Sequence, residues 1–249
     1  MRDVTFSYDE KCRAEFSSLM SRVEHLFVSI DIRCPYGLPF VARFHQATFA
    51  PLSERAMELF LTAGYRRNGN CLYTMQCAGC SACIPIRLHP EEFRPNRNQH
   101  RALKKNQDVA MTILPLYPDS ETLALCEKFL QNRYPKENNN ASGYYRDFFL
   151  NTIVNSAQIQ YRVDGRLVGT AIVDIGYNWL NAVYFYFDPE ESQRSLGTYN
   201  ILQLVALCRE WEVAYLYLGY LIHSVPAMSY KKNFRPHSIL VENQWCCIQ

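Results

Sequence analysis

From residue 106 onward the chain alternates strand-like and helix-like stretches with short breaks, and the order of that alternation restricts the fold more than any other feature. VAMTILPL reads as a strand, and Ser120 to Tyr134 as a helix that stops before Pro135. A polar loop over 135–143 leads to a second helix running through Ile153. Gln158 to Val163 and Arg166 to Tyr177 are strands joined by an Asp164-Gly165 hairpin turn, and Leu180 to Phe187 is a third strand ending at Asp188-Pro189. A helix over Gly197 to Trp211, a strand over Val213 to Tyr220, a short helix holding Met228, Tyr230 and Lys231, and a final strand SILVE complete the order β-α-α-β-β-β-α-β-α-β.

Residues 1–105 have a different texture. HLFVSIDIRCPY starts as a strand and breaks at Cys34-Pro35; a helix follows, with Ser53 as N-cap, Leu52 and Met57 as a hydrophobic staple, and Gly64 as the stop. A turn over Arg66, Arg67, Asn68 and Gly69 and a short strand IPIRL come next. The expected class is α+β. The order of elements resembles the GNAT acyltransferase fold over residues 106–249, preceded by a smaller cysteine-containing region over 1–105.

Of 249 residues 48% are hydrophobic and 20% charged, enough for a proper core, and a net charge of +2 announces no general nucleic-acid binder, so any basic patch must be local. The N-terminus carries charges without an apolar signal-peptide stretch, and the longest apolar runs are too short to span a bilayer. The expected setting is cytoplasmic, with no membrane partner and with thiols reduced.

Among ten cysteines, Cys77, Cys80 and Cys83 are spaced two residues apart, with Cys71 before them and Cys34 upstream. Such gaps let thiolates converge on one zinc ion or iron–sulfur cluster, with Cys34 as first choice of fourth ligand; the alternative is a set of reduced thiols in a tight turn. Cys246 and Cys247 are read as incidental. From Phe93 to Lys105 no acid interrupts the chain, and a helix from Arg97 would align Arg97, Arg101, Lys104 and Lys105 along one face, a stripe suited to a phosphate backbone or, more blandly, a solvated face. Arg194-Ser195-Leu196-Gly197-Thr198 stands where GNAT enzymes hold a pyrophosphate, but Tyr199 replaces the last small residue, which argues against acetyl-CoA. Tyr220, beside Gly219 at a strand end, and Tyr230, beside Lys231, are the tyrosines best placed to line a cleft.

Together the stretches GYRRNGNCLYTMQCAGCSACIPIR, FRPNRNQHRALKKN, VYFYFDPEESQRSLGTYNIL and YLYLGYLIHSVPAMSYKKNFRPHSIL resemble the bacterial aspartate/glutamate leucyltransferases, relatives of the eukaryotic arginyl-tRNA–protein transferases. The match begins at Cys34-Pro35-Tyr36, where Gly37 makes this chain one residue longer than the family's Cys-Pro-Tyr-Leu-Pro. The resemblance implies an enzyme that moves leucine, or arginine in the eukaryotic branch, from charged tRNA to proteins with N-terminal Asp or Glu, as a degradation mark. It needs no cofactor for the chemistry, because the donor ester is already activated. It also implies a cation for the acceptor's carboxylate, with Arg66, Arg67 and Lys231 as candidates and Tyr36 and Tyr230 beside them, and an apolar leucine slot near Phe185, Phe187 and Leu218. Asp174, with Tyr220, is the candidate for proton chemistry, as a base or as an orienting group. The competing readings are a CoA-dependent N-acetyltransferase and a non-catalytic, metal-containing RNA-binding module.

Overall fold

A computed structural model describes residues 7–135 and 139–249. Two sheets organise them. The smaller is antiparallel and comprises β1 (Val28–Arg33), β2 (Val41–Thr48), β3 (Arg66–Asn68) and β4 (Cys71–Met75), in the order β1-β2-β4-β3. The larger holds β5 (Ile84–Leu88), β6 (Ala110–Pro115), β7 (Ser156–Val163), β8 (Arg166–Ile175), β9 (Trp179–Phe187), β10 (Tyr215–Leu221), β11 (His237–Val241) and β12 (Gln244–Ile248), in the order β12-β11-β5-β10-β9-β8-β7-β6. All neighbours in it are antiparallel except β9 and β10.

Helices cover both faces of the large sheet. On one side α6 (Leu196–Glu210) lies over β9 and β10, and α3 (Arg97–Lys105) packs on α6. Ala102, Leu204, Val205 and Cys208 meet Leu180, Leu216 and Leu218 in the main core there. On the other side α4 (Ser120–Arg133) and α5 (Ala141–Tyr144) cover β8 and β9 through Phe129, Leu130, Tyr145 and Tyr186. Residues 84–105 thus supply a strand and a helix to the large layer, so the change of texture near residue 105 does not separate two cores.

Helix α2 (Glu54–Thr62) forms as its sequence dictates. The Ser53 hydroxyl accepts from Ala56 N–H at 3.2 Å, and Gly64 turns the chain at φ +85, where a Cβ would meet Leu240 and Pro85 at 2.8 and 2.9 Å. The Asp164-Gly165 turn takes positive φ at both residues, as a tight hairpin requires.

Several elements lie beyond the sequence expectation, among them the hairpin of β3 and β4, which forms where a turn and the cysteine cluster were expected. Helix α1 (Tyr8–Val23) starts with a capping box from Ser7 and Glu10, and Phe16 stacks edge-on against Phe60 of α2. Strand β2 follows β1. Strand β12 follows a turn of Glu242 and Asn243, both at positive φ without a glycine to signal it. Buried Arg87 on β5 unites these pieces: it pairs with Asp9 of α1 at 2.6 Å, and its guanidinium lies 4.3 Å from the Tyr215 ring and 4.1 Å from the Trp245 ring of β12. The helix expected to run through Ile153 ends earlier. Its α5 turn passes into a π-helical turn, Tyr145–Phe149, and the Asn151 side chain then accepts from the N–H groups of Ile153 and Val154.

Candidate active site

Strands β9 and β10 pair only at Trp179–Tyr215, Leu180–Leu216 and Asn181–Tyr217, although both continue beyond these residues. The parting is built in by irregular pairing on both flanks: β10 shifts register against β5 between Tyr217 and Gly219, and β8 shifts against β9 between Ile172 and Val173. Past the parting, inward carbonyls lose their sheet partners, and Arg66 of β3 fills the gap. Its Nη2 donates to Ala182 O at 3.2 Å, and its Nη1 lies 1.6 Å from where a Cβ on Gly219 would sit. Gly219, at φ +81, is therefore required twice, for the backbone turn and for the guanidinium.

The hydrogen-bonding account of this gap is incomplete. Among the described residues, buried Nε and Nη1 of Arg66 and the buried Tyr220 hydroxyl have no partner; the Thr74 hydroxyl approaches Tyr220 without completing a bond. Tyr73 packs its ring 6.4 Å from that of Tyr220, and Tyr36 and Tyr73 both stand near Arg66. Lys231 reaches in from the turn Tyr230–Asn233 that follows α7 (Pro226–Ser229); its Nζ donates to Tyr220 O at 2.8 Å and touches Met228 Sδ at 3.8 Å. Among the described residues no acid pairs with Arg66 or Lys231. Burial pushes the Lys231 amine down to about 7, and the Arg66 cation adds to the shift. Burial likewise raises the Tyr36 and Tyr220 hydroxyls above their ordinary range. Arg66 and Tyr36 are half-buried as residues, while Nε and Nη1 of Arg66 are themselves buried. A buried guanidinium without a counter-charge has the charge and the donors that a carboxylate would complement.

Two expected site residues are engaged elsewhere. Arg67 points to the opposite face of β3 from Arg66. Its side chain and that of Asp174 are 0% exposed and locked together, with Nε and Nη2 at 2.8 and 2.6 Å from the carboxylate. Asp174 also accepts from Ser156 and Asn181, and Arg67 Nη1 donates to the carbonyls of Phe148 and Phe149, which the π-helical turn leaves open. Asp174 is thus fully engaged with Arg67, Ser156 and Asn181, an arrangement that orients its neighbours rather than that of a free base, and Arg67 is taken up by the same pair. Phe185 and Leu218 pack into the core beneath α6. Tyr230 sits at the edge of the site, half-buried against Phe234 and close to Arg133 and Tyr134. Tyr73 went unrecognised in the sequence. Its signal was the hairpin: closing the chain at Gly69-Asn70 pairs Arg66 with Tyr73.

Family models for the N terminus and the C terminus of arginine-tRNA-protein transferase match residues 32–101 and 121–241. An aspartate/glutamate leucyltransferase of Chromobacterium violaceum is 38% identical over 224 residues, covering 89% of this chain and 93% of its own. One of Thiobacillus denitrificans is 34% identical over 226 residues, covering 90% and 94%. The chain belongs to the arginine-tRNA-protein transferase family. It is an aminoacyltransferase, and Arg66, Tyr73, Gly219, Tyr220 and Lys231 all lie within the matched segments. Among solved structures, L-PGS from Bacillus licheniformis superposes at a TM-score of 0.44 with 10% identity, over 92% of this chain and 81% of that one. The splayed parallel pair describes the acyltransferase-like layer more directly than that distant superposition.

The remaining expected features of this transferase divide. Helix α3 forms over Arg97–Lys105 with Asn96 and Gln99 as a capping box. Gln99 and Ala102 face inward, while Arg97, Arg101, Lys104 and Lys105 are exposed and in no ion pair among the described residues. Gln99 Nε2 donates to Asn233 O at 3.1 Å, tying this helix to the turn that carries Lys231. Arg194, in the loop before α6, is bound bidentately to Asp108 at 2.7 and 2.8 Å and so is not free for a pyrophosphate.

The thiols gather only loosely. Cys83 lies close enough to Cys77, Cys34 and Cys80 to feel their charge, and with burial its own thiol is pushed up to about 12. Yet among the described residues no three His, Cys, Asp or Glu side chains converge as a metal ion requires, so the expected four-thiol metal site is not assembled. The extra Gly37 closes a tight turn, with its N–H on Cys34 O at 3.1 Å and φ at +75, and holds Tyr36 beside Arg66.

Proposed function

We propose that the chain transfers leucine from leucyl-tRNA to the α-amine of proteins beginning with Asp or Glu, creating a degradation mark in the cytoplasm. The observation that carries the acceptor half is Arg66, a half-buried residue set in the parting of β9 and β10, with two unpartnered guanidinium nitrogens and no acid to neutralise it among the described residues. A side-chain carboxylate supplies the missing charge and accepts a charge-assisted hydrogen bond from the guanidinium, which a neutral amide cannot do equally well. The names of the relatives support the same acceptors and a leucyl donor.

The exposed row Arg97, Arg101, Lys104 and Lys105 is read as the phosphate contact for the tRNA, brought beside the site by the Gln99–Asn233 link. The ester is already activated, so no cofactor is required. The protein holds the amine near the carbonyl and manages protons and charge. Tyr199, where the pyrophosphate loop calls for a small residue, speaks against a CoA donor. The donor is tested by offering purified leucyl-tRNA and arginyl-tRNA, each labelled, with a peptide beginning with Asp. Label transferred from leucyl-tRNA alone agrees with the proposal; transfer from arginyl-tRNA alone assigns the other donor.

A further inference from the structure

The reaction needs a group to accept protons from the acceptor's ammonium, and the carboxylate expected to do so, Asp174, is locked to Arg67. The structure puts a different group beside the carboxylate anchor. Lys231 comes from the Tyr230–Asn233 turn, and among the described residues its Nζ is tied only to the backbone carbonyl of Tyr220 and to a methionine sulfur. These use two N–H bonds of an amine and leave its lone pair free. The charged group facing it is the Arg66 guanidinium from β3, and around that guanidinium stand the hydroxyls of Tyr220 from β10, Tyr73 from β4 and Tyr36 from the loop after β1. None carries negative charge at neutral pH. A second buried cation next to Arg66 would be neither paired nor solvated, whereas a neutral amine fits the same surroundings without that penalty.

We propose that Lys231 is a catalytic residue of the transfer, a neutral amine that takes a proton from the acceptor's α-ammonium group and hands it to the departing ribose oxygen. This rests on the reading of Arg66 as the anchor for the acceptor's carboxylate, which would hold the α-amine a few bonds away. The ammonium nitrogen loses two protons overall. Nζ takes the first, freeing the lone pair that attacks the ester carbonyl carbon. As the bond from that carbon to the ribose oxygen breaks, Nζ returns the proton to the oxygen. Once Nζ is neutral again, the second proton leaves the nitrogen of the N-protonated amide just formed, through Nζ to solvent, and the enzyme is restored. An amine that titrates near 7 is poised for both directions of that exchange.

The test uses the full chain carrying Lys231→Met or Lys231→Arg, with leucyl-tRNA and peptides beginning with Asp or Asn. The proposal expects the Met variant to lose roughly 100- to 10,000-fold in kcat. Its KM for the Asp peptide and its Asp-over-Asn preference should change little, and added ethylamine should restore part of the rate. The Arg variant, which cannot deprotonate, should be as slow as the Met variant. In the wild type kcat should fall as pH drops below about 7, and the Met variant should lose that limb. An Arg variant close to wild-type kcat overturns the proposal. So does a Met variant that keeps kcat but loses the Asp preference, which makes Lys231 a second carboxylate anchor. If the variants do not fold, NMR titration of Lys231 in the wild type decides: neutrality near pH 7 agrees, and ordinary lysine titration refutes. A wild-type protein that transfers no amino acid condemns the functional reading itself, a different failure from an active enzyme indifferent to Lys231.

Discussion

Replacing Arg67 by Ala should unfold the molecule more readily while leaving its acceptor chemistry identifiable. The side chains of Arg67 and Asp174 are both 0% exposed, so the Ala variant leaves a carboxylate in the interior with only the neutral donors Ser156 and Asn181. It also strips the carbonyls of Phe148 and Phe149 of their charged donor. Breaking a buried pair by removing one partner costs about 3–5 kcal/mol, a large share of the roughly 5–15 kcal/mol that holds a folded domain together. For a chain of this size about 2–4 °C is lost per kcal/mol, so the midpoint should fall by roughly 6–20 °C. Urea unfolding followed by tryptophan fluorescence, with calorimetry alongside, measures both quantities. Below the lowered midpoint, the preference for Asp over Asn should survive, because Arg66 on the other face of β3 is untouched. A midpoint within 2 °C of wild type together with a lost Asp preference would put Arg67 in the pocket and refute the division of roles between the two arginines.

Gly219→Ala should abolish acceptor discrimination and reduce stability by about 1–2 kcal/mol, because the new Cβ occupies the position of Arg66 Nη1 and the backbone stands at φ +81; peptide kinetics and urea midpoints read the two effects. Reversing Arg97, Arg101 and Lys104 to Glu should abolish tRNA binding at moderate salt with an unchanged unfolding midpoint, since these side chains are exposed; a filter-binding salt titration that matches wild type contradicts the role of α3.

The order of elements from β6 to β11 was legible because each strand or helix announces itself by period and by its breaks: Pro135, Asp164-Gly165, Asp188-Pro189. Strand β12 was hidden because its hairpin uses Glu242 and Asn243 rather than a glycine turn, and α1 because its acids and basics mask a single row of contacts, Tyr8, Cys12 and Phe16, against α2 and the sheet. At the site, the residue types were readable and their partners were not. Arg66 and Arg67 are adjacent in sequence, and only the pleat of β3 sends one into the gap and the other into the core. Asp174 looks available mid-strand until Arg67, 107 positions away, is brought to it. The spacing of Cys77, Cys80 and Cys83 signals proximity, which the structure shows, but spacing alone does not aim sulfurs at a common point.

The most direct test of the account is the acceptor preference of Arg66→Gln. Leucine transfer from leucyl-tRNA to otherwise identical peptides beginning with Asp, Glu, Asn or Gln would be compared for the wild type and the variant, with tRNA affinity measured separately. A half-buried pair lies between the about 0–1 kcal/mol of an exposed one and the about 3–5 kcal/mol of a buried one, so the wild type should favour Asp over Asn by roughly tenfold to a hundredfold. In the variant that ratio should collapse towards one through loss on Asp and Glu, with tRNA affinity kept. An unchanged ratio, or an equal loss on all four peptides together with weakened tRNA binding, would contradict the assignment of Arg66 to the acceptor's carboxylate.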